Sequence, residues 1–130
     1  MTIKYGFGKT VSMDFERAID VVTEALKTEG FGVLTDIDVQ TTLKNKLGED
    51  MPPYRILGAC NPPLAHQAIT AESSIGLLLP CNVLVRQDND GIVHVEFMDP
   101  AAVLDLVDNP AVHQLASEVR ARLDRVLAAL

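Results

Sequence analysis

Apolar positions along this chain recur with periods of about two or about 3.6 residues, and the changes of period mark out its elements. Lys4 to Val11 reads as a first strand. Ser12-Met13-Asp14 then offers side-chain caps to a helix reaching Glu29, in which Phe15, Ala18, Ile19, Val22, Ala25 and Leu26 share one face. Gly30 is placed just past its end, where a left-handed residue stops a helix. Phe31 to Ile37 reads as a second strand, and Asp38 caps a short helix carrying Val39, Leu43 and Leu47 as far as Gly48. Tyr54 to Cys60 is a third strand, with Tyr54, Ile56, Gly58 and Cys60 on one face.

Three pairs, Asn61-Pro62, Asp99-Pro100 and Asn109-Pro110, join a preferred cap to a proline at the first helical position, where its missing N–H costs nothing. The last pair opens the longest expected element, a helix to Leu130 with Val112, Leu115, Ala116, Val119, Leu123 and Val126 along one stripe. Ser74 to Arg86 is almost wholly apolar and reads as a strand buried on both faces, bent at Pro80. A hairpin follows. With Asn89-Asp90-Gly91 as a three-residue loop, Val85 faces Val95, Val83 faces Phe97 and Arg86 faces His94. A two-residue loop would set Val85 against Glu96, so the pattern selects the longer one.

The 130 residues make a single domain, residues 1–130, long enough for its own core. Eleven Lys and Arg against 18 Asp and Glu leave a net charge of −7, which repels nucleic acid and anionic membrane surfaces. Neither is an expected partner. The longest apolar run, Ile75 to Val85, is interrupted by Gly76, Pro80 and Asn82 and is far shorter than the roughly 20 residues of a spanning helix. The opening residues Met1 to Gly6 lack the basic and apolar regions of a secretion signal, so a cytoplasmic location is expected, with both cysteines as free thiols. A mean hydropathy of +0.17 exceeds what one face of a small sheet buries, which points to a homodimer.

Both cysteines occur in the same dipeptide, within Gly58-Ala59-Cys60-Asn61-Pro62-Pro63 and Leu79-Pro80-Cys81-Asn82-Val83. Cys60 directly precedes a capped helix start, where unpaired backbone N–H groups would stabilise a thiolate. Cys81 follows a proline that interrupts strand pairing, a device that aims side chains into sites. Adjacent strands would bring the two thiols together. Three uses stay open for them: buried packing groups, a shared functional pocket, or a transient disulfide. Their spacing matches no standard zinc or thioredoxin pattern. His66, on the helix opened by Asn61, lies nearest Cys60 along the chain and is a candidate for the pocket rim. Asp36 and Asp38 flank a strand-to-helix turn, but two carboxylates are too few for a hard cation. The phosphate-loop, dinucleotide, serine-hydrolase and zinc-protease motifs are all missing.

Several of these segments together resemble the bacterial family called domain of unknown function 302: Gly30-Phe31-Gly32-Val33-Leu34 running into Asp36-Ile37-Asp38-Val39, Thr42-Leu43-Lys44 with Lys46-Leu47-Gly48, Ile56 to Pro62, Ile75 to Val83, and Met98-Asp99-Pro100. The resemblance spans essentially the whole chain. It implies an α+β fold: an antiparallel sheet with helices packed on one face in a β-α-β(4)-α-like order with extra short helices, similar to the TATA-binding-protein-like arrangement, and homodimers. It implies no activity. Its frequent Cys, Asn and Pro positions fall on Cys60, Asn61, Pro62, Pro80 and Cys81.

The candidate site is therefore Cys60, Asn61, Pro62, Pro80, Cys81 and Asn82, with His66 beside it. Two sulfurs and two amides suit a soft metal ion or a thiol-reactive small molecule better than Mg²⁺ or phosphate. Two functions compete: a binding or regulatory module with a pocket at Cys60 and Cys81, and a thiol-dependent enzyme or redox protein using Cys60. The first is preferred, because no general base or oxyanion donor is identifiable beside either thiol.

Overall fold

A computed structural model describes residues 3–130; Met1 and Thr2, part of the stretch read above for a targeting signal, lie outside the described residues. The elements run β1 (Gly6–Val11), α1 (Phe15–Thr28), β2 (Gly32–Asp38), α2 (Val39–Leu47), β3 (Tyr54–Cys60), α3 (Pro62–Ala71), β4 (Cys81–Gln87), β5 (Val93–Met98), α4 (Pro100–Val103) and α5 (Pro110–Ala128). All five strands join one antiparallel sheet in the order β1-β5-β4-β3-β2, an α+β architecture. Among the described residues no helix is long and apolar enough to cross a membrane.

Each expected cap forms. Asp14, Asp38, Asn61, Asp99 and Asn109 accept hydrogen bonds from the first turns of α1 to α5 in that order. Such a bond satisfies one of the backbone donors a helix start leaves orphaned, and is worth about 1 kcal/mol. The hairpin register is the expected one, Val83 opposite Phe97, Val85 opposite Val95 and Arg86 opposite His94. Gly91 closes its loop at φ +82°, a conformation that side chains with a Cβ resist.

The main core lies between one face of the sheet and the helices α1 and α5. Leu57, Val83, Val85, Val95 and Phe97 from the strands meet Val22, Leu26, Leu123 and Val126, all essentially inaccessible. A smaller core of Ala68, Ile75, Leu104, Val112 and Ala116 forms beyond the end of the sheet, between α3, α4 and the first half of α5. Asn109 links these parts, donating from Nδ2 to the Ala71 carbonyl at 3.0 Å while Oδ1 caps α5.

The structure corrects the reading of Ser74 to Arg86 as one doubly buried strand. Ser73–Leu78 is a 3-10 helix, Pro80 follows a cis peptide bond, and the strand begins only at Cys81. Ile75 is buried in the smaller core, so this apolar run packs a helical turn beyond the sheet rather than the sheet itself. The strand proper is buried on one face: Cys81, Val83 and Val85 point into the core while Asn82 is exposed. The opposite face holds a concavity lined by Tyr54, Leu84, Arg86 and Glu96 among others. The apolar stripe read on α2 also stays unburied, with no residue of that helix inside the core.

Candidate functional site

The sheet's end and the smaller core do not close on each other completely. Between them lies a cavity of about 360 Å³, floored by Ala59, Cys60 and Cys81 and walled by α3 and α5 through Leu64, Ala65, Leu115 and Val119. Pairing of Ala59 with Cys81 across β3 and β4 sets the two cysteines at the same end of the sheet. Both thiols line this one cavity, and they are not bonded to each other. Cys81 is the sealed member at 7% exposure, whereas Cys60, at the last position of β3, is partly exposed. Burial, helped by the neighbouring Cys60, pushes the Cys81 thiol up to about 11, so it is a neutral S–H at physiological pH.

Asn61 is buried to 7% exposure and is bonded at both ends of its amide. Its Oδ1 accepts from the Leu64 N–H at 3.3 Å, and its Nδ2 donates to the Glu29 carbonyl at 3.4 Å, which Arg122 also reaches at 3.0 Å. Those bonds tie the start of α3 to the chain reversal after α1. Gly30 makes the approach possible: it sits at φ +83°, and a Cβ there would lie 2.9 Å from Asn61 Nδ2.

The expectation that the start of α3 offers donors to a Cys60 thiolate is not met. Pro62 and Pro63 have no N–H, the Leu64 N–H is taken by Asn61 Oδ1, and the Ala65 N–H bonds the Asn61 carbonyl at 2.9 Å. The two prolines that start the helix also empty its anion site. No Asp, Glu or His is among the described residues lining the cavity. The described residues also hold no group of three His, Cys, Asp or Glu that could bind a metal ion.

Of the seven sequence candidates, Cys60, Asn61, Pro80 and Cys81 line the cavity, and Pro62, His66 and Asn82 do not. His66 is exposed on α3, and Asn82 faces the opposite side of the sheet. Asp36 and Asp38 are likewise apart from it. Asp38 caps α2 through the Thr41 N–H at 3.0 Å, and Asp36 pairs with Arg55, whose guanidinium holds its carboxyl below the ordinary value of 3.8. Sequence reasoning missed the apolar walls, because Phe31, Leu104 and Leu115 come from three distant segments whose patterns announce only burial.

The whole-chain likeness can now be set beside this geometry. The model of the family described as Domain of unknown function DUF302 matches residues 7–130. The chain belongs to this family. A DUF302 protein from Bacillus stearothermophilus, described as an uncharacterized conserved protein, has a crystal structure similar to this one at a TM-score of 0.89. The two chains share 31% identity over 96% of this chain and 97% of that one. No curated protein matches this DUF302 chain.

Proposed function

We propose that this DUF302 chain is a binding module that holds a small, uncharged, largely apolar molecule in the cavity between the sheet's end, α3 and α5. One observation carries the reading: among the described residues lining the cavity, the only ionisable side chains are two thiols, one of them kept neutral by burial, on largely apolar walls. Its size lies within the range of small-molecule sites. A thiol-dependent enzyme needs a base or a set of donors to make a thiolate, and the cavity supplies neither. Two sulfurs without a third ligand make a poorer metal site than an apolar pocket.

Leu34 of β2, 68% exposed, is among the residues lining the cavity, and Leu47 of α2, the helix that follows this edge strand, is 67% exposed. Their exposure supports a homodimer formed along this edge strand and its following helix. Two free thiols accord with a reducing cytoplasmic setting.

Titration with N-phenyl-1-naphthylamine, a neutral fluorescent probe, tests the binding reading. Saturable one-to-one enhancement that is lost in Ala65→Phe, where the new ring fills the cavity, supports it. Equal enhancement in the wild type and a folded Ala65→Phe variant rejects it. Ag⁺ alone, added with and without Cys81→Ala, serves as the soft-metal arm.

A further inference from the structure

The face of the sheet turned away from α1 and α5 holds a second concavity of about 930 Å³, separate from the thiol cavity. Its middle is an arginine with a fixed orientation. Arg86 donates from Nε to Glu96 Oε1 at 2.5 Å, and the Arg86 side chain is one-third exposed. Among the described residues, its terminal amino groups Nη1 and Nη2 have no hydrogen-bond partner. Gly8 of the neighbouring edge strand leaves room for the Glu96 side chain, since a Cβ there would come within 3.1 Å of Glu96 Cγ.

Holding Nε in this way leaves the end-on fork of the guanidinium open, the geometry that accepts two oxygens of one anion. Charge limits the ligand. Lys9 pairs with core-facing Val95 and so projects toward the helix-covered face, which leaves Arg86 as the cation this concavity offers among its described residues, beside the carboxylate of Glu96, while His94 is held by Asp88 at 2.8 Å. A single guanidinium suits a monoanion better than a dianion. Around the fork, Tyr54, Leu84 and Met98 supply apolar and aromatic surface on which an organic body can rest.

We propose that this open sheet face is a binding site for a small organic carboxylate, with the carboxylate on the Nη1 and Nη2 fork of Arg86 and its apolar body against Tyr54 and Leu84. The site goes beyond the thiol cavity and does not depend on it. Two-dimensional NMR titration of the full chain with 4-phenylbutyrate, its neutral primary amide and inorganic phosphate tests the assignment. The carboxylate should shift the resonances of Leu84, Arg86 and Glu96 at least about tenfold more tightly than the amide or phosphate, because a charge-assisted pair is lost in one and the body in the other. Arg86→Gln should abolish that difference, and Arg86→Lys, which keeps the charge but not the fork, should retain only part of it. Cys60→Ser should leave it unchanged. The proposal is overturned if wild-type carboxylate and amide bind alike, if neither shifts these resonances, or if sedimentation shows a second copy of the chain occupying this face.

Discussion

The dipeptide Cys-Asn occurs at the end of β3 and again at the start of β4, and the fold treats the two copies in opposite ways. At the first, Asn61 is buried and bonded through both ends of its amide, while Cys60 is partly exposed to the cavity. At the second the thiol is sealed and Asn82 is exposed on the other face of the sheet. The difference follows from what comes next in the chain. A helix after Cys60 turns Asn61 into a cap, whereas a strand after Cys81 sends successive side chains to opposite faces. Identical local sequence therefore yields one structural amide, one sealed thiol and one partly exposed thiol, the two thiols lining the same cavity.

Alkaline unfolding should sharpen this contrast most. The Cys81 thiol is raised from 9.0 to about 11 in the fold, so between those values the unfolded chain has released a proton that the native chain still holds. Stability from this group is complete below pH 9 and is lost as pH rises towards 11, by about 2 to 3 kcal/mol for two pKa units. Urea midpoints measured across that window should fall less steeply for Cys81→Ala than for Cys60→Ala. Equal slopes would mean that the two thiols share one environment.

The amides should differ by less. Asn61→Ala removes a cap and a tie to Glu29, and is expected to destabilise by about 1 to 2 kcal/mol in urea denaturation. Asn82→Ala, at an exposed position, should stay within about 0.5 kcal/mol of the wild type. A smaller effect lies at the acid end. Asp36 is held below 3.8 by Arg55, so its contribution is present above that pH and is lost as pH falls through the lowered value. Asp36→Asn should flatten the acid limb of the stability curve slightly, by well under 1 kcal/mol for so exposed a pair.

The contrast between the two copies was partly legible. Caps, helix faces and the hairpin register each depend on neighbours a few residues away, and Asn61 announces its role through Pro62. The Val83–Phe97 and Val85–Val95 pairs follow from a period of two joined to one glycine. Ser74 to Leu79 misled because a short continuous apolar run has no period to separate strand from helical turn. Its partners in the smaller core, Ala68, Leu104 and Val112, lie in other segments. The cavity was hidden for the same reason: its walls come from β2, α3, α5, the turn before β4 and the turn after α4, and no pattern within one of them records the space left between them.

The claim that Cys60 is the accessible wall of an apolar ligand cavity, with Cys81 sealed beside it, is tested most directly by site-resolved thiol labelling. Native protein is treated with iodoacetamide at pH 8, with and without saturating N-phenyl-1-naphthylamine, and each cysteine is followed by peptide mass spectrometry. Cys60 should label about tenfold or more faster than Cys81, because only a thiolate reacts and the Cys81 thiol is held neutral by burial. The probe should slow Cys60 several-fold. Equal rates at the two thiols, or a Cys60 rate unmoved by bound probe, would contradict the account.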